Sequence, residues 1–142
     1  MDELLHSFTN RYFQLWKYSV SHSSLLLRSV KLDTSDDAEL TAMGHIVHEH
    51  PSRIDILFKG VEGLHLVNAY LDSFLKVYKI SYNYDQATRI GFASSKIDED
   101  KQLFALDSKE GRSFIVSYGC HVREDQKESH EPSHFDQNFS NL

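Results

Sequence analysis

The chain has 142 residues, with 15 Lys and Arg against 21 Asp and Glu, a formal charge of −6. An apolar share of 40% and an aromatic share of 12% suffice for one core and exceed what a disordered chain carries. The acidic balance argues against a general nucleic-acid or anionic-membrane binder, and the single cysteine, Cys120, excludes an internal disulfide.

Taken in chain order, Leu4, Leu5, Phe8, Tyr12, Leu15 and Trp16 follow a helical spacing, although Tyr12 to Val20 also suits a strand. The reading is a short helix near residues 2–9, then a strand closed by the polar turn Ser21-His22-Ser23. Leu25 to Leu32 opens as a continuous apolar block, the pattern of a strand covered on both faces. Residues 35–43 read as a short helix, with a capping box at Asp36-Asp37-Ala38-Glu39 and a stop at Gly44.

Arg53 to Lys59 alternates, with Ile54, Ile56 and Phe58 on one face and Arg53, Asp55 and Lys59 on the other. This predicts a half-buried strand. Gly60 to Gly63 reads as the following turn, leading into Leu64 and Leu66. Residues 68–77 admit either helix or strand. Tyr78, Ile80, Tyr82 and Tyr84 share one face of a further alternating run. Gln102 to Leu106 and a strand carrying Phe114, Val116, Tyr118, Cys120 and Val122 flank Asp107–Gly111, a hairpin pattern. The sum is an antiparallel, mainly β fold: a sandwich or open barrel of about seven or eight strands with one or two short helices. Residues 1–122 read as one globular domain. Residues 123–142, with two basic against five acidic residues and three large apolar ones, read as a loosely ordered tail.

Three groups carry candidate chemistry. His45, His48 and His50 fall within six residues. A zinc ion could sit between them given one or two more ligands, yet neither CxxC nor HExxH is present, and a polar loop is the plainer reading. Cys120 lies in phase with Val116 and Tyr118, as a core cysteine would. No G-x-S-x-G elbow, P-loop or dinucleotide glycine motif occurs. The aromatic group, Trp16 and Tyr18 early and Tyr78, Tyr82 and Tyr84 later, is either a tyrosine-rich core or a protein-binding face.

The segments Tyr18-x-Val20-Ser21-His22-x-x-Leu25-Leu26-x-Arg28-Ser29, Ile54-Asp55-Ile56-x-Phe58-x-Gly60-Val61 and Phe114-Ile115-Val116 make the chain resemble small bacterial single-domain proteins of uncharacterised function. The resemblance implies a compact stand-alone domain and no particular activity. His22 and Arg28 are its polar residues. They either pair within a hairpin or line a recognition site.

These features lead to a non-enzymatic protein-binding domain, immunity- or antitoxin-like or regulatory, using Trp16, Tyr18, His22, Arg28, Tyr78, Tyr82 and Tyr84. The alternative is a small-ligand or zinc-binding β-barrel built on His45, His48 and His50. No other cofactor, nucleic acid or membrane is expected as a partner. An exposed edge strand would allow a two-fold homodimer. Asp2 and Glu3 stand where a signal peptide carries Lys or Arg, and no apolar run approaches the ~20 residues of a membrane span. A cytoplasmic protein is the expectation.

Overall fold

A computed structural model of the chain describes residues 2–19, 23–30, 32–33, 48–71, 73–80, 101–127 and 131, with the backbone alone at 32–33 and 48–49. The described residues form twelve strands and no helix. These are β1 (Asp2–Thr9), β2 (Phe13–Ser19), β3 (Ser24–Ser29), β4 (Leu32–Asp33), β5 (His48–Glu49) and β6 (Arg53–Lys59). They continue with β7 (Gly63–His65), β8 (Tyr70–Leu71), β9 (Phe74–Ile80), β10 (Gln102–Ser108), β11 (Gly111–Ser117) and β12 (Gly119–Asp125). A front sheet runs β1-β9-β10-β11-β7, a back sheet runs β12-β6-β3-β2-β8, and β4 pairs with β5. Every described pairing in the two sheets is antiparallel, and neither sheet closes into a barrel.

The core lies between the sheets. Phe13, Leu25, Leu27, Ile54, Ile56 and Phe58 of the back sheet meet Leu75, Val77, Phe104, Leu106 and Ile115 of the front sheet. Phe58 and Phe104 cross edge to face, with ring centroids 5.7 Å apart. Each such side chain contributes roughly 1.5–3 kcal/mol by leaving water.

Several expectations need correction. Residues 2–9 are the edge strand β1, and a helix there is wrong. Register slips between Leu4 and His6, and again between Leu15 and Lys17, place two apolar residues side by side in each strand. Those bulges imitate the spacing of a helix. Residues 68–77 resolve as β8 and the start of β9. The helix expected at 35–43 lies outside the described residues. β6 is buried on both faces rather than one, with only Lys59 exposed.

The single strand expected from Phe114 to Val122 is two strands in different sheets. β11 ends in the front sheet at Ser117 and β12 begins in the back sheet at Gly119, so the alternation breaks at Tyr118. Ile115, not Phe114, joins the core, and Tyr118 is 52% exposed. The neighbouring chain changes sheets at the same place, from β6 through Gly60 to β7. Tyr118 N–H donates to the Lys59 carbonyl and Glu62 N–H to that of Val116, both at 2.8 Å, so the ladder continues around the corner.

Gly60 makes that corner possible. Its φ is +64°, and a Cβ there would overlap the Tyr118 ring. Lys101 Nζ stands 4.3 Å from the centre of the same ring and 3.7 Å from Glu62 Oε1. Gly60→Ala should lower stability in urea by about 2–3 kcal/mol, and by about 1 kcal/mol in a Tyr118→Ala background, where only the left-handed backbone penalty remains.

Candidate functional site

The outer face of the back sheet concentrates the buried charge of the described residues. Along β3, Leu25 and Leu27 turn to the core, so Leu26 and Arg28 turn outward. On β6 the same alternation sends Arg53, Asp55 and Leu57 outward. Register then sets Leu26 opposite Leu57 and Arg28 opposite Asp55, while β12 brings Asp125 opposite Arg53.

These pairs form one zigzag across three strands. Arg28 donates from Nε to Asp55 Oδ1 at 2.7 Å and from Nη2 to Oδ2 at 3.1 Å. Arg53 donates from Nε and Nη2 to the two Asp125 oxygens at 3.1 and 3.0 Å. Arg53 Nη2 also lies 4.0 Å from Asp55 Oδ2. Such forked pairs fix orientation as well as charge. Arg28, Arg53 and Asp55 are each no more than 1% exposed.

On the opposite, core-side face of the same strands, Arg11 donates to Ser29 Oγ at 3.1 Å and to the Ser52 carbonyl at 2.8 Å. Burial pushes the Arg11 pKa down, opposed by the Glu124 carboxylate. Ser52 Oγ donates to Glu124 in turn. On the outer face two guanidiniums thus stand among two carboxylates, and the cluster balances its own charge.

Asp125 also turns the chain. Its Oδ1 accepts the Lys127 N–H at 2.9 Å, and the Glu131 carbonyl then accepts Arg53 Nη1 at 2.6 Å and Arg28 Nη1 at 3.4 Å. Composition assigned residues 123–125 to the tail, yet they belong to β12 and pair with β6. An already neutralised cluster suits a neutral carbonyl better than another carboxylate.

Trp16 covers this network. It occupies the slip in β2 and packs against Leu26 and Leu57, with the Arg28 guanidinium carbon 4.7 Å from the ring centre. Two of the residues singled out from sequence, Trp16 and Arg28, therefore meet. Tyr18 lies farther along β2, 45% exposed. Tyr78 is elsewhere, on β9 of the front sheet beneath the Arg112 guanidinium at 5.5 Å. Hydrogen bonding to Asp107 raises the Arg112 pKa above its ordinary value, and the contact with Asp2 adds to this. His22, Tyr82, Tyr84 and His45 lie outside the described residues. His48 is placed in β5 by its backbone, with His50 two residues on.

Arg53, Asp55 and Asp125 were not singled out from sequence as site residues. The available signal was Arg28 itself, a charge inside the continuously apolar β3. Among the described residues no three His, Cys, Asp or Glu side chains gather as metal ligands. No helix among them is long and apolar enough to cross a membrane. Neither a family model, nor a curated protein, nor a solved structure matches the chain.

Cys120 packs against the core cluster, and burial pushes its thiol up to about 12. The thiolate is the nucleophile, so a thiol protonated at pH 8 reacts slowly. A disulfide reagent at pH 8 should label native Cys120 at least about a hundredfold more slowly than the unfolded chain. Arg53→Lys should cost about 2–3 kcal/mol in denaturant unfolding despite preserving charge, because an ammonium cannot reproduce the fork to Asp125 and the bond to Glu131.

Proposed function

We propose that the protein is a non-enzymatic binding module that holds a protein partner along the edge of β2, in the manner of an immunity, antitoxin-like or regulatory protein. One observation carries this reading. Beyond Leu15, whose N–H donates to the Ala69 carbonyl at 2.8 Å, no described strand flanks β2 on the side away from β3. That stretch presents Tyr18 at 45% exposure, and at its start stand the Leu15 side chain, 37% exposed, and Trp16 against Arg28.

Tryptophan, tyrosine and arginine dominate binding energy at protein interfaces, because large rigid groups bury area at little entropic cost. The buried ion network beneath holds Trp16 and Arg28 in one arrangement before any partner arrives, which lowers the ordering cost of association. A formal charge of −6 would speed encounter with a basic protein, and nuclease-like toxins are of that kind.

Affinity capture from cells of the native host, at low and raised salt, tests the reading. The wild-type chain should retain a basic protein that raised salt releases. Tyr18→Asp should reduce retention at least about tenfold, the effect of losing an aromatic anchor, with thermal stability unchanged. Capture of nothing at either salt, or equal capture by the variant, contradicts it.

A further inference from the structure

Charged side chains on the outer face of a sheet are ordinarily wet. Arg53 lies on that face one strand in from the margin strand β12, and Arg28 one strand farther, yet they are 0% and 1% exposed. Something covers them, and the described residues supply two covers. Trp16 stands over the Arg28 guanidinium at 4.7 Å. The other is the main chain of Glu131, whose carbonyl accepts Arg53 Nη1 at 2.6 Å and Arg28 Nη1 at 3.4 Å.

The chemistry of that contact is selective. Each arginine gives Nε and Nη2 to an aspartate, Arg28 to Asp55 and Arg53 to Asp125, and the two Nη1 atoms converge on one point. Two carboxylates already neutralise the two guanidiniums, so the fitting ligand is a neutral oxygen with two lone pairs, as a peptide carbonyl has.

The sequence singles out this carbonyl among its neighbours. Residue 132 is one of only two prolines in the chain, so the Glu131 carbonyl belongs to a tertiary amide without an N–H. Covering that peptide group strands no donor, and a proline keeps the residue before it out of helical backbone.

We propose that Arg28 and Arg53 form a carbonyl-binding site whose ligand is the chain's own Glu131, and that this contact is a releasable strap over the outer face of the back sheet. The described contact is polar throughout: one oxygen shared by two nitrogens, one of them at the long distance of 3.4 Å, on an exposed residue. Contacts of this kind open locally while strands held by a ladder and an apolar core stay paired. Opening wets both Nη1 atoms and takes from Arg28 one of its two covers, so Trp16 packs less firmly against it. That the strap thereby controls a recognition residue rests on the binding reading above. The strap itself does not, and its test needs no partner.

Nitrogen-15 NMR of the full chain follows the Arg53 guanidinium directly. Its Nη1 hydrogens should be protected from exchange at least about tenfold relative to free arginine, and its Nε hydrogen, held by Asp125, at least about tenfold more again. Pro132→Gly restores an N–H and frees the backbone. It should cut the Nη1 protection at least about fivefold, leave that of Nε unchanged, and raise acrylamide quenching of Trp16, the sole tryptophan, about twofold. Glu131→Ala keeps the carbonyl and should match the wild type.

Nη1 hydrogens that exchange as in free arginine overturn the site. Protection equal at Nη1 and Nε overturns the strap, since the contact would then open only with the fork to Asp125. Unchanged Nη1 protection or Trp16 quenching in Pro132→Gly, or an equal loss in Glu131→Ala, overturns the proposal too. Should Pro132→Gly fail to fold, the two protections in the wild-type chain decide alone.

Discussion

The ion chain from Arg28 through Asp55 and Arg53 to Asp125 constrains everything on the outer face of the back sheet. Charges almost fully removed from water are costly unless each meets its opposite in good geometry. Here the matching is done by strand register, with Arg28 opposite Asp55 and Arg53 opposite Asp125. A slip of one residue in β6 would turn both its charges into the core and unpair them at once. The network therefore does more than neutralise: it penalises every alternative alignment of β3, β6 and β12.

From that alignment the rest of the face follows. Arg28, held by Asp55, offers one guanidinium face to Trp16 and one nitrogen to the Glu131 carbonyl. Asp125, held by Arg53, accepts the Lys127 N–H just past β12, and Arg53 also donates to the Glu131 carbonyl. The proposed recognition edge thus rests on a support that is rigid before binding. On the other side of the molecule, Arg112 joins Asp2 and Asp107 above Tyr78, and this exposed ladder anchors the outermost strand, β1.

Sequence pattern revealed β3, the β10–β11 hairpin and the apolar face of β6 because in each the alternation or the apolar run is unbroken. It misread β1 where the bulge at Leu5 shifts the phase, and the Phe114–Val122 segment where Tyr118 carries the chain between sheets. Both are single-residue events that reverse every later side chain, and nothing within the segment announces them. Arg53 and Asp55 looked like a solvent face for a related reason. A charged alternate position means solvent or a buried pair according to what lies across the sheet, and Arg28 lies about twenty-five positions away in the chain. Trp16 and Arg28 were legible as residue types suited to recognition; that they touch was not.

A double-mutant cycle on Arg28 and Asp55 tests this account most directly. Asp55→Leu alone should cost about 3–5 kcal/mol, since it strands the buried Arg28 guanidinium and leaves Arg53 with Asp125 alone. Combined with Arg28→Met, the total loss should fall short of the sum of the single losses by at least about 2 kcal/mol. Strict additivity would mean that the two charges are separately solvated, and the outer face of the back sheet would then be wet, unpaired and without the rigidity on which the proposed site depends.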